Sequence, residues 1–358
     1  MTLQHAKRII VCPLNWGLGH ATRSSKIIDQ LIAHGFDVHL ASSGISLEWL
    51  RDRYPNLQYH ELPDYKVTYQ QNGSFIAKIA LQIPRVVKTI RKERTELRKL
   101  HLKYNFDGVI SDNRFGCYLK SVPSIFITHQ VRVRTPIAQK MVRRVNYKYI
   151  RRFDHVWIPD VEKVNLAGKL SKYKSGLPEF DYIGVLSAFD PDKKPAKEPT
   201  YEFTALISGP EPQRTAIENE VYREFSRSKV RSMIIRGTNT PTNNKETDAV
   251  SIRNRLSSSE VQKIVNTSKV IIFRAGYSSV MDLSVHGKKI ISIPTPGQTE
   301  QEYLAKRMEK LGYGPRFKQG SFSLDKARKK LMVFTGIPAL GSTSDAIWKD
   351  LLGLFEGK

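Results

Sequence analysis

At 358 residues, with 40% of them hydrophobic, the chain has the length for two domains of roughly 150 to 200 residues and the composition of a packed globular protein, which excludes a disordered or fibrous class. Its formal charge of +24 is the one unusual bulk property, and it bears on partners and solubility rather than on fold. No run of about 18 uncharged apolar residues occurs, so neither a signal peptide nor a membrane span is expected and a cytoplasmic location is. Cys12 and Cys117 have no CxxC partner and lie in apolar surroundings, which fits buried thiols in a reducing compartment.

In chain order, apolar runs at 8–11 and 38–41 flank a helical repeat of Ile27, Ile28, Leu31 and Ile32 that stops near Gly35. This strand, helix, strand unit opens a parallel sheet. Further strands are expected at 57–61, 108–111, 124–128 and 155–158. Between them Phe75, Ile79, Ile83, Val87 and Ile90 recur at helical spacing, with Pro84 interrupting, and a basic helix runs on to about Leu100. Residues 85–103 hold eight Lys or Arg and two Glu, and residues 132–152 hold eight Lys or Arg and no acid, which favours an anionic surface as partner, lipid headgroups or nucleic acid.

Residues 189–200, rich in Pro and Lys and without periodicity, are expected to link a domain at 1–188 to a second at 201–342. In the second, strands at 202–207, 232–236, 270–273 and 290–293 alternate with helices at 213–226, 259–266, 278–286 and 300–311. The fold class is therefore α/β, two Rossmann-like, doubly wound parallel-sheet domains facing across a cleft at the carboxyl ends of their strands. A last helix, within 343–358, is expected to pack back on the first domain.

Three stretches carry chemistry. The first, Pro13-Leu14-Asn15-Trp16-Gly17-Leu18-Gly19-His20, follows a strand as a dinucleotide loop does, but Thr22 stands at the third glycine position and the second strand ends in Leu40-Ala41-Ser42-Ser43, with no carboxylate for a ribose. In place of the small packing residue stands His20 at a helix amino end, where the macrodipole opposes protonation. A neutral imidazole there has the makings of a general base; capping the helix or bonding a neighbour is its other use. The second stretch, Phe273-Arg-Ala-Gly-Tyr-Ser-Ser-Val-Met-Asp282, runs from a strand through a glycine turn into a hydroxyl-rich helix start suited to a phosphate, with Asp282 two turns on for ribose hydroxyls or as a plain surface acid. The third, Pro294-Thr-Pro-Gly-Gln-Thr-Glu-Gln-Glu-Tyr303, delivers Gln298, Glu300, Gln301 and Glu302 to another helix start, where amides and acids suit sugar hydroxyls or simply the helix dipole.

Together these stretches resemble the GT-B glycosyltransferases, most closely the family 28-like group containing the transferase that adds N-acetylglucosamine to lipid I in peptidoglycan synthesis, and the resemblance covers most of the chain. It implies His20 as the base, with Gly17 and Gly19 as its loop glycines. It implies Arg274, Gly276, Ser278 and Ser279 near the nucleotide, Asp282 on the ribose, and Gln298 with the pair Gln301 and Glu302 at the donor sugar. The group's second glutamine is an acid here, which bears on which sugar is held. Where the group has Gly-Gly-Ser after the first strand of the second half, this chain has Ser208-Gly209-Pro210-Glu211, with Arg214 as a substitute phosphate contact. Residues 127–130, Ile-Thr-His-Gln, look like the acceptor-side loop, which puts His129 and Gln130 with Asp112 on that side. Uracil contacts fall on backbone near 256–259.

The reaction so implied is inverting transfer of a hexose or N-acetylhexosamine from a nucleotide sugar, of UDP type, to a hydroxyl of a lipid-linked or cell-envelope glycan. The nucleotide sugar is a co-substrate; no cofactor, metal or nucleic acid is expected. The lone Asp-x-Asp, Asp190-Pro191-Asp192, reads as a turn, and the histidines form no HxxxH or HExxH array. Lys88, Arg91, Arg98, Arg143, Arg144, Arg151 and Arg152 would then hold the first domain against anionic lipid at the inner face of the cell membrane, with Phe75, Ile76 and Ile79 near the acceptor entrance. Two other readings stand: a nucleotide-sugar 2-epimerase of the same fold, which Glu300 and Glu302 keep open, and a nucleic-acid-binding protein, suggested by charge alone.

Overall fold

A computed structural model describes residues 6–65, 75–135 and 138–356, with side chains throughout except at 75–83. It divides into two compact units, Met1–Leu186 with Thr343–Lys358, and Ser187–Ser342.

The first unit runs β1 (Arg8–Pro13), α1 (Gly19–Ala33), β2 (Asp37–Ser42), α2 (Gly44–Arg53), β3 (Gln58–Glu61), α3 (Phe75–Tyr104), β4 (Gly108–Asp112), β5 (Ser124–Ile127), α4 (Gln139–Ile150), β6 (His155–Ile158) and β7 (Glu179–Tyr182). Its strands form one parallel sheet in the order β3-β2-β1-β4-β5-β6-β7. The central strands β4 and β5 are buried along their whole length, as a parallel sheet covered on both faces requires, so their sequences are near-continuous apolar runs. Strand order reverses between β1 and β4, and at such a switch point the crevice outside the strands' carboxyl ends is open to a ligand. The registers Pro13↔Asp112 and Asp112↔Ile127 bring three strand ends level there.

The second unit runs β8 (Tyr201–Ile207), α5 (Gln213–Ser228), β9 (Ser232–Arg236), β10 (Val250–Arg253), α6 (Ser258–Asn266), β11 (Ser268–Phe273), α7 (Tyr277–Ser284), β12 (Lys289–Ser292), α8 (Thr299–Lys310) and α9 (Leu324–Leu331). Its parallel sheet, ordered β10-β9-β8-β11-β12, has its switch point between β8 and β11. Both halves are thus the doubly wound parallel α/β sheets read from the sequence. A final helix, α10 (Asp345–Leu352), with the turn Gly353–Phe355, belongs to the first unit. Trp348, Leu351, Leu352 and Phe355 are buried in one core with Ile9, Val11 and Trp157, and Lys7 Nζ donates to the Phe355 carbonyl at 2.6 Å.

Residues 189–200 are not a free linker. Gln262 on α6 brackets Asp190, its Nε2 donating to the Asp190 carbonyl and its Oε1 accepting from the Asp190 amide at 2.9 Å. Asn266 Nδ2 donates to the carbonyl of Lys193 and the Asn266 backbone carbonyl accepts from the amide of Ala196, so α6 supplies, through side chains and its last carbonyls, the partners that a helix or strand would have supplied. Helix α3 runs through Pro84 without ending, where interruption was expected. One amide is lost there, and the buried repeat of Ile90, Glu93 and Leu97 beyond it keeps the helix docked. Elements that composition hid are α2, α4, α9 and the short strands β7 and β10. Helix α4 buries only Asn146, Tyr147 and Ile150, so its charges masked its periodicity. The side chains of Phe75, Ile76 and Ile79 lie outside the described residues.

Candidate active site

In the first unit the glycine loop and α1 bring His20 over the end of β4. Gly17 takes φ +69°, a left-handed turn that suits glycine, and the loop is tied down by Ser46 Oγ donating to the Gly17 carbonyl and Asn15 Nδ2 donating to Asp64. His20 Nδ1 lies 3.0 Å from Asp112 Oδ1, and Asp112 is fully buried while His20 keeps 14% of its side chain exposed. Arg23, one turn along α1, donates Nε to Asp112 Oδ2 at 2.7 Å and Nη2 to Asp112 Oδ1, and its Nη1 lies 3.2 Å from His129 Nδ1. Ser24 Oγ also donates to Asp112 Oδ2.

Burial alone would raise the Asp112 pKa, but the Arg23 guanidinium and His20 outweigh it and hold the carboxyl below the usual range. An ionised carboxylate only accepts, so the proton between it and His20 belongs to Nδ1; two lone pairs facing each other would repel. Arg23 Nη2, 2.9 Å from the same Nδ1, donates a hydrogen to Asp112 Oδ1. The basic electron pair of His20 is therefore on Nε2. Burial pushes the His20 pKa down, Asp112 pushes it up, Arg23 and His129 push it down again, and the net direction is downward, so the ring is neutral near pH 7. A neutral, oriented imidazole is equipped to take a proton.

In the second unit the loops after β8 and β11 meet at the switch point. Gly209 takes φ +118°, and Ser208 and Gly209 are exposed at the sheet end. After β11, Ala275 takes φ +57°, a conformation that costs a residue with a Cβ about 1 kcal/mol and turns the chain sharply from Arg274 into α7. Arg274 is 3% exposed, and among the described residues its guanidinium bonds neutral oxygens: Nε and Nη2 to Thr295 Oγ1, Nη1 to Gln319 Oε1 at 2.8 Å. Burial lowers its pKa to about 10, opposed by the field of Glu220. Gln319 is fixed in turn by donating to Gln213 Oε1 at 2.6 Å.

Gln301 and Glu302 on α8 accept from the amides of Thr295 and Gly297 at 2.8 and 3.0 Å, which shapes the loop around Arg274's partner. Gln298 is the residue just before α8, Gly276 just before α7, and Ser278 and Ser279 stand in the first turn of α7. Asp282 accepts from Ser187 Oγ; burial raises its pKa to about 6 against that bond and one from the Ala188 amide.

Arg214 was expected as a substitute phosphate contact, and the structure engages its guanidinium with acids of its own chain. It is buried and engaged by Glu211 Oε1 at 2.5 Å and by Glu218, which also binds Arg236 at 2.9 Å, so a closed ion-pair network holds it. The acids at 211 and 218, three and four residues away on the α5 side, were the signal. Asp190 Oδ1 accepts from the Asp192 amide, a turn. Sequence reasoning did not single out Arg23, Thr295 or Gln319. Arg23 had a signal, the spacing of one helical turn from His20; the other two meet Arg274 only through the fold.

On the surface, Lys88, Arg91, Arg98, Arg144 and Arg151 are exposed, whereas Arg143 is half-buried and Arg152 lies over the ring of Tyr149. Helix α4 has no acid and exposes Met141 by 57% and Val145 by 48%. A cavity of about 820 Å³ in the first unit is lined by the acids Glu61, Asp64 and Glu96 together with the bases Lys88, Arg91 and Lys92. Among the described residues no helix is long and apolar enough to cross a membrane.

The family model described as glycosyltransferase family 28 C-terminal domain matches residues 229–333, and that described as glycosyl transferase family 1 matches residues 8–167. No curated protein matches the sequence. Among solved structures, MurG of Acinetobacter baumannii is 14% identical, aligned over 98% of this chain and 100% of its own with a TM-score of 0.60. A UDP-glucosyltransferase from Polygonum tinctorium capable of glucosylating indoxyl is 14% identical over 99% of each chain, with a TM-score of 0.64. The calicheamicin glycosyltransferase CalG4 is 12% identical over 98% of this chain and 94% of its own, with a TM-score of 0.67.

Proposed function

We propose that this chain, a glycosyltransferase of the GT-B fold with a family 28-like second half, moves a hexose or N-acetylhexosamine from a UDP-type nucleotide sugar to a hydroxyl of a lipid-linked or cell-envelope glycan, with inversion and with His20 as general base. The observation that carries this reading is His20 itself, neutral, oriented by a buried ionised Asp112, with its basic Nε2 pair turned away from the carboxylate. In such a transfer Nε2 takes the proton of the acceptor hydroxyl as that oxygen attacks the anomeric carbon, and the bond to the nucleotide diphosphate breaks on the opposite face. Within the second unit, Arg274 and the amides at the start of α7 are the donors that suit a nucleotide diphosphate. The scheme calls for no metal or cofactor. One structural neighbour is described as a UDP-glucosyltransferase and another as a complex with UDP, which supports the choice of nucleotide.

The basic residues and the exposed Met141 and Val145 of α4 support a peripheral seat on anionic lipid. The test is release of free nucleotide from a panel of UDP-, GDP- and dTDP-sugars with membrane lipid as acceptor, wild type against His20→Ala. Transfer from one donor, lost in the variant while that donor still binds, is the expected result. Interconversion of a donor to its epimer without transfer makes the chain an epimerase, and undiminished transfer by His20→Ala removes the base assignment.

A further inference from the structure

The described side chains hold one arrangement that the reaction above does not use: a guanidinium wedged among the carboxylate and both histidines. Arg23 is 3% exposed, and its fork reaches three groups at once, Asp112 through Nε and Nη2, His129 Nδ1 through Nη1 at 3.2 Å, and the edge of His20 through Nη2 at 2.9 Å. A lysine, with a single point of attachment, has no such reach.

Charge counting gives this geometry a consequence. With Arg23 present, a guanidinium, a carboxylate and a neutral imidazole sum to zero in a place nearly without water. A proton added to His20 leaves a net positive charge there, which burial disfavours. Without Arg23 the same carboxylate and imidazole sum to a negative charge, and one added proton neutralises it. That proton has two seats. On the imidazole it occupies Nε2 directly. On Asp112 it makes the carboxyl a donor to Nδ1, and the ring hydrogen moves to Nε2. In either seat the basic pair is gone.

We propose that Arg23 is the positioning residue of the His20 base: as the fixed counter-cation of Asp112 it keeps the His20–Asp112 pair from taking up a proton, so that Nε2 remains an open acceptor down into mildly acidic conditions. The inference rests on the reading of His20 as base and adds the group that sets its working pH range. The charged and titratable groups facing His20 are Asp112 from the end of β4, Arg23 from α1 and His129 from the segment after β5; Asp112 alone favours the protonated ring, and Arg23 and His129 oppose it.

The test pairs kcat/KM for transfer, followed from mildly acidic to mildly basic pH, with an NMR titration of the His20 imidazole nitrogens, in full-length wild type, Arg23→Gln and Arg23→Lys. In Arg23→Gln the acid limb of the rate profile and the proton uptake of the pair both move up by about 1 to 3 pH units. Arg23→Lys keeps the charge without the fork, so its limb stays near that of the wild type while its rate falls. A limb and a titration both unmoved in Arg23→Gln overturn the proposal. Should Arg23→Gln fail to fold, Arg23→Lys decides: a limb raised as far as the loss of a charge would raise it also overturns it. Failure of the underlying reading looks different, because His20→Ala then retains transfer, whereas an imidazole that ignores residue 23 removes Arg23's role and leaves the base in place.

Discussion

Two arginines, Arg23 in the first unit and Arg274 in the second, are buried to the same 3% exposure and treated in opposite ways. Arg23 meets a carboxylate as buried as itself, and the pair is closed. Arg274 meets a threonine hydroxyl and a glutamine carbonyl; the carboxylate whose field reaches it, Glu220, accepts from the amides of Gly320 and Phe322 rather than from the guanidinium. The first cation is finished when the chain folds. The second, among the described residues, makes no ion pair, which leaves it suited to an anionic ligand.

The sharpest way to break this contrast is to remove each charge. Arg23→Met strands Asp112 in the core and lowers stability by about 3 to 5 kcal/mol, read from urea unfolding of the first unit. Arg274→Met, which breaks hydrogen bonds to neutral oxygens and strands no ion-paired carboxylate, costs less stability than Arg23→Met, yet weakens nucleotide-sugar binding by about 100-fold in calorimetry. An Arg274 variant that unfolds as early as the Arg23 variant ends the comparison.

The carboxylates repeat the contrast on a smaller scale. Asp112, held below the ordinary range by Arg23, adds stability above the ordinary carboxylate pKa and loses it as pH falls. Among the described residues no cation acts on Asp282, and burial raises its pKa to about 6. Its share is therefore present in acid and is lost as pH rises through about 6, and the Asp282→Asn protein should lack that decline, about 1 to 2 kcal/mol once partial exposure is allowed for. A parallel pH dependence of thermal midpoints in the two proteins would remove Asp282 as its source. The smallest effect concerns Glu302, whose carboxylate holds the Gly297 amide. Glu302→Gln should shift the ratio of kcat/KM for hexose against N-acetylhexosamine donors by about tenfold or less, and an unchanged ratio limits Glu302 to shaping its loop.

Most of the architecture was legible because parallel strands buried on both faces leave unbroken apolar runs, as at 270–273, and because glycine turns mark where such strands hand over to helices. Elements half-exposed or rich in charge, such as α4 and β7, leave a weak periodic signal and escaped notice. His20 was visible from its place at a helix start. Its partners were visible only as residue types: that Asp112 lies beneath it follows from the strand register Pro13↔Asp112, which no local pattern encodes. Arg214 failed as a free cation because acids within one turn of a helix claim an arginine before any ligand does.

The return of α10 to the first unit has a consequence for how the protein is made. Strand β1 shares its core with Trp348, Leu351 and Phe355, and the Lys7 ammonium waits for the Phe355 carbonyl. During synthesis, residues 187–342 emerge complete and can collapse as a nested body while the sheet that was begun first still exposes the apolar seam meant for α10. That seam stays uncovered until residues 345–355 have left the ribosome, so a sheet begun before residues 187–342 is completed after them.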